Sequence, residues 1–227
     1  AENLINNAVC LKAGENILIE TTDTPDELST ELIKAVEKVQ GNAFVRNFNS
    51  RVRRQSIKSA TEAQIKLEAE LFLAEMKQMQ AYIAIRGANN AMENGDIDDE
   101  KMLMYRKLTK EALDYRVNKT KWCVLRWPNP SMAQGAKMST EAFEDFYFKA
   151  CLADYPKMKS AAQNLIDLMN KTDKVRLVAK DTDITFSIKG IPAVPCCGNM
   201  NIPDGEVYTA PVQGSIEGVI HYNTPTL

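Results

Sequence analysis

The chain has 227 residues, 44% of them hydrophobic and 26% charged, with a formal net charge of −2. This is ordinary globular composition with enough apolar material for a proper core, and it carries no general attraction for nucleic acid or an anionic membrane. No run approaches the ~18 apolar residues of a membrane span and no signal peptide opens the sequence, so no membrane partner and a cytoplasmic location are expected.

Taken in order, Asn3 to Val9 has helix-like spacing without a convincing cap. After the Ala13-Gly14 break, Asn16 to Thr21 is a mainly apolar run of strand length. Thr24-Pro25-Asp26-Glu27 reads as a capping box with proline at the first helical position, and Leu28, Leu32, Val36 and Val39 form the apolar stripe of a helix that Gly41 ends. Ala43 to Phe48 is the next strand, and the basic run Arg51, Arg53 and Arg54, with Arg46 nearby, reads as the solvated face of a helix start. A second capping box, Thr61 with Gln64, opens a helix that places Leu67, Leu71 and Ala74 on one face. It leads into the strand Ala81 to Arg86, closed by Gly87. The polar loop Gly87 to Asn90 then falls at a strand's carboxyl end, where open α/β sheets place ligands, although placement alone does not make a site. A long helix from about Asp98 to Asn118 turns Met102, Tyr105, Ala112 and Tyr115 inward, and Lys121 to Arg126 is the fourth strand.

Four strands separated by helices imply an α/β fold, a parallel sheet with helices on both faces. No strand is followed by G-x-G-x-x-G or by a G-x-x-x-x-G-K-[ST] loop, so nothing supports dinucleotide or nucleoside triphosphate binding. Trp127 to Pro130 makes a rigid exit; Ser139 or Thr140 caps a helix carrying Phe143, Phe146, Tyr147 and Ala150, which Pro156 stops; another helix spans Met158 to Met169. Beyond Thr172 the pattern changes to short strands, Val175 to Ala179 and Ile184 to Ile188. The expected division is a 1–171 α/β domain and a 172–227 β-rich segment, too small to look complete as a domain.

Five cysteines, Cys10, Cys123, Cys151, Cys196 and Cys197, lack a disulfide framework and read as reduced, small apolar residues. No C-x-x-C or histidine spacing turns Cys196-Cys197 into a zinc half-site. His221, the one histidine, falls in the apparent strand Gly218 to Tyr222 and reads as structural or surface; Ser-His or Cys-His catalysis would have to recruit it.

The most informative stretch is Gly198 to Gly218. Pro203 and Gly205 make a turn of Ile202 to Gly205, and the alternation after it, stopped by Pro211, suits a short strand. Glu206 then stands at a turn-to-strand junction, fixed in position and open to a ligand. A carboxylate held that way serves as a hard-cation ligand or an acid/base group; for an arbitrary Pro-Asp-Gly-Glu string, a solvated turn glutamate is the commoner outcome.

Pro203 to Pro211 resembles the metal-site motif of the aminopeptidase T and aminopeptidase S (PepS) family of dinuclear metalloaminopeptidases, where P-x-G-E-V-F-T-A-P supplies the first metal-ligating glutamate. Arg126-Trp127-Pro128, Met132 to Gln134, Met138 to Glu141, Asp145 to Phe148 and Thr182 to Gly190 resemble the same family in the same order, so the resemblance covers nearly the whole chain. It implies an α/β scaffold followed by a catalytic domain that holds two divalent metal ions, zinc, cobalt or similar, to activate a water that cuts the amino-terminal residue from a peptide substrate. It also implies a homodimer. Carried over residue by residue, the metal ligand here is Glu206; the family's other ligands would fall beyond Leu227. The chain is therefore expected to be the amino-terminal portion of a metalloaminopeptidase, inactive alone and without tightly bound metal. The alternative is a non-catalytic α/β binding or dimerisation module. The two separate on exposure, since a missing catalytic half leaves a broad apolar surface around residues 175–220.

Overall fold

The computed structural model describes residues 1–223. The chain forms two compact units, Ala1–Ala153 with Gly198–Pro203, and Asp154–Cys197 with the residues from Asp204 onward. The boundary thus precedes the helix expected to close the first domain, and six residues after it return to the first unit.

The first unit is built on a parallel sheet of β1 (Asn16–Thr22), β2 (Asn42–Phe48), β3 (Ala81–Arg86), β4 (Lys121–Arg126) and β8 (Asn201–Ile202), in the order β2-β1-β3-β4-β8. Ile17, Leu18 and Ile19 of β1 and Ala81 to Ile85 of β3 are buried throughout, which is why both strands read as continuous apolar runs. The pleat divides their side chains: Leu18, Tyr82 and Ala84 share one face, Ile17, Ile19, Ile83 and Ile85 the other.

Leu18, Tyr82 and Ala84 pack with Met76 and Met79 into one core cluster, joined by half-buried Phe72, Tyr115, Trp122 and Val124. This fixes the inward faces of α3 (Glu62–Met76) and α4 (Asp99–Lys119). On α3 the buried residues are Ile65 and Met76, and the face shared by Leu67, Leu71 and Ala74 is exposed. On α4, Ala112 is buried as expected, and so is Arg116.

The cap signals met mixed outcomes. Pro25 is itself the cap of α1 (Asp26–Lys38), no side chain caps that helix, and the Thr24 hydroxyl is buried without a hydrogen-bond partner. Thr61 does accept from the Gln64 amide, but the Gln64 side chain turns to Glu68 at 3.1 Å instead of completing a box. Helix α2 (Ser50–Ser59) starts at the basic run and is capped by Asn49. The exit from β4 is a short helix, α5 (Pro130–Gly135), and Ser139 caps α6 (Thr140–Cys151). Pro156 lies in the first turn of α7 (Tyr155–Lys171), under the Asp154 cap, so it opens that helix and does not stop the one before.

In the second unit, α7 is followed by the antiparallel hairpin β5 (Lys174–Ala179) and β6 (Thr182–Ser187), with β10 (Glu217–Val219) added on the other side of β6. A separate antiparallel pair joins β7 (Val194–Cys196) to β9 (Glu206–Tyr208). No helix among the described residues is long and apolar enough to cross a membrane.

The exits from β3 and β4 are locked together by Asn129, which is 7% exposed. Its carbonyl caps α5 through the Met132 amide at 3.0 Å, and its amide donates to the Gly87 and Ala88 carbonyls at 3.3 and 3.0 Å. Asn129→Ala removes the cap and strands two carbonyls, a cost of about 2–4 kcal/mol. Thermal unfolding followed by circular dichroism is expected to show a midpoint lowered by several degrees; an unchanged midpoint would remove Asn129 from this role.

Candidate metal-ligating segment

The segment around Glu206 begins in the first unit. Asn201 and Ile202 pair with Val124 and Leu125, and Ile202 is buried, so the strand anchors the start of the turn. Gly205 follows with a φ of +146°, in the range that side chains disfavour, and an added Cβ would lie 3.1 Å from the Met158 Sδ. Glu206 therefore leaves the turn in one direction and enters β9, opposite Cys196 of β7. Its side chain is exposed. This is the turn-to-strand junction expected from the residues.

Asp204, Cys196 and Cys197 are its acidic and thiol neighbours in the second unit. Burial pushes the Cys196 thiol up, and the negative charges of Asp204 and Glu206 add to this. The Cys197 thiol is pushed up by burial and Asp204, with Lys159 working the other way. Both are therefore held toward the protonated thiol. His221 lies past the end of β10 and is exposed; its backbone amide donates to the Thr182 hydroxyl at 2.8 Å. The expected strand through Tyr222 ends at Val219.

Among the described residues, no group of three or more His, Cys, Asp or Glu side chains is placed to hold a metal ion. Glu206 is one carboxylate arm, and the residues present do not complete a metal centre around it.

The Gly87 to Asn90 loop has a structural task. The Gly87 amide donates to the Thr22 carbonyl at 2.7 Å, and a Cβ on Gly87 would lie 2.5 Å from the Asp23 carbonyl oxygen. Backbone thus fills the space beside this strand end. A polar group that motif reading missed lies on the sheet face, where the Tyr82 hydroxyl donates to the Glu20 carboxylate. Burial and the Glu20 charge push the Tyr82 phenol up, so it remains a donor. Its signal in the sequence is a glutamate inside the apolar run of β1.

No curated protein matches the chain. Among solved structures, wild-type AmpT from Thermus thermophilus shares the fold with a TM-score of 0.76, at 16% sequence identity, over 96% of this chain and 62% of that one. The chain thus spans less than two thirds of AmpT's length. A model of the thermophilic metalloprotease (M29) family matches residues 1–227. Matched along its whole length, the chain belongs to the thermophilic metalloprotease family M29.

Proposed function

We propose that the protein is a metal-dependent aminopeptidase that removes amino-terminal residues from peptides, and that Glu206 supplies one ligand to a pair of divalent ions such as zinc or cobalt. The observation that carries this reading is the position of Glu206: an exposed carboxylate held between a glycine-dependent turn and a short strand, within a chain of the M29 family. The remaining ligands are assigned outside the described residues, since none of these groups with Glu206 into a metal cluster. On this reading the 227-residue chain does not hydrolyse peptides by itself and does not hold zinc or cobalt tightly, because one carboxylate is too few.

Apolar side chains exposed on the second unit, Leu177, Val178, Ile216 and Val219 among them, fit a unit that is covered by more of a catalytic domain or by a second copy in a homodimer. Among the described residues no disulfide joins any of the five cysteines, which suits the reducing cytoplasm. The net charge of −2 gives nucleic acid no general hold.

In the complete enzyme, Glu206→Gln is expected to lower turnover of amino-acid p-nitroanilides by at least about 100-fold while the unfolding midpoint stays put. Near wild-type turnover would sink the ligand assignment. Calorimetric titration of the 227-residue chain with zinc or cobalt is expected to show no stoichiometric tight binding, and such binding at Glu206 would overturn the reading.

The thiols give a check by pH. Because burial and Asp204 raise both, alkylation of Cys196 and Cys197 is expected to begin at higher pH than that of an unhindered thiol, and Asp204→Asn moves the profile of both downward. An unshifted profile in the variant would exclude Asp204 as the cause.

A further inference from the structure

The first unit contains a cavity of about 750 Å³ whose residues no part of the proposed chemistry uses. It is lined from β1, β2 and β3, for the most part toward their carboxyl ends, and from α2, α3 and α4. The strand order β2-β1-β3-β4-β8 makes the β1/β3 boundary the place where the sheet changes its direction of growth. Open α/β sheets take ligands beside such a switch point. The crevice directly above it is filled by the Gly87–Asp23 backbone approach, while the cavity to one side of it stays open.

Its charges are unbalanced. Four arginines, Arg46, Arg53, Arg86 and Arg116, line it against two glutamates, Glu20 and Glu68. Arg46 is neutralised by Glu75 at 2.7 Å. Glu20 accepts from the Tyr82 hydroxyl, and Glu68 accepts from Gln64. Arg53, Arg86 and Arg116 form no ion pair among the described residues.

Arg116 is the informative one. It is 9% exposed, its guanidinium carbon lies 4.7 Å from the centre of the Tyr82 ring and 5.6 Å from that of Trp122, and its Nε is buried with no hydrogen-bond partner. The rings offset part of the cost of burying the charge, but an unmet donor on a buried cation remains expensive. Arg53 is exposed on its outer side, with its guanidinium carbon 5.1 Å from the centre of the Phe48 ring and its inner side against Tyr105 and the Glu20 charge. Between the two, Phe48, Leu71, Phe72 and Leu113 give the cavity apolar wall.

The geometry points to a binding site for a small organic anion, a carboxylate or phosphate carried on an apolar body, with Arg116 and Arg53 receiving the anionic group. The planar guanidinium matches either anion by paired hydrogen bonds, and the volume suits a small molecule. Electrostatics alone would admit inorganic ions; the aromatic and aliphatic walls select the organic body. The site is independent of Glu206 and of the metal chemistry, so it stands or falls separately from the proposed function.

The test is isothermal titration of the 227-residue chain with phenylacetate, phenyl phosphate and benzyl alcohol. The proposal expects one-to-one binding of at least one of the two anions and none of the neutral alcohol; the tighter anion names the natural chemistry. Arg53→Met is expected to weaken that binding about tenfold or more with an unchanged unfolding midpoint, and Arg116→Met likewise if it folds. Arg53→Met decides the matter should the Arg116 variant fail to fold. Absence of saturable binding by both anions, equal binding of the alcohol, or affinity unaltered in Arg53→Met would each overturn the proposal.

Discussion

The first unit depends on β1 having no surface of its own. With Ile17, Leu18 and Ile19 fully buried, its backbone groups have no water to turn to, and they are met by β2 on one side and β3 on the other. That double pairing fixes the register of three strands at once: Glu20 stands beside Arg46 and Ala84, and Thr22 beside Phe48 and Arg86. The helices follow from it. α3 and α4 pack where Leu18, Tyr82 and Ala84 leave an apolar floor, and the exits of β3 and β4 are held by Asn129 because the strand ends are level.

Toward the carboxyl ends, that same register replaces an apolar floor with a polar one. Tyr82, Glu20 and Arg116 are accommodated because each meets a ring, a hydroxyl or a carboxylate, while the Arg116 Nε stays buried without a hydrogen-bond partner. Structural economy alone would favour leucine at these positions. The segment around Glu206 is organised on the opposite principle: little is buried there, and direction comes from backbone, through the φ of Gly205 and the pairing of β9 with β7.

Where one element decides its own fate, the sequence was legible. The strand cores at Asn16, Ala81 and Lys121, the break at Gly41 and the turn before Glu206 all carry local signals, and the structure places each of them there. What depends on distant partners was not legible. The burial of Arg116 is set by Tyr82 and Trp122, and the strand at Asn201 by an edge on β4 that residues 200 positions into the chain must find. Thr24 and Pro156 show the limit of cap motifs, since the same residue types serve a cap or a preceding loop according to which backbone amide is near.

The return of Gly198–Pro203 to the first unit has a consequence for biogenesis. A ribosome releases the chain from its amino end, yet the parallel sheet keeps an unsatisfied edge along β4 until residues 201–202 have emerged. The hairpin of β5 and β6, by contrast, needs only neighbours already made. Completion of the older layer thus waits on the younger one, and a nascent chain halted before residue 198 presents an open strand edge to chaperones and to other nascent chains. A gene cut at 171 would inherit that edge permanently.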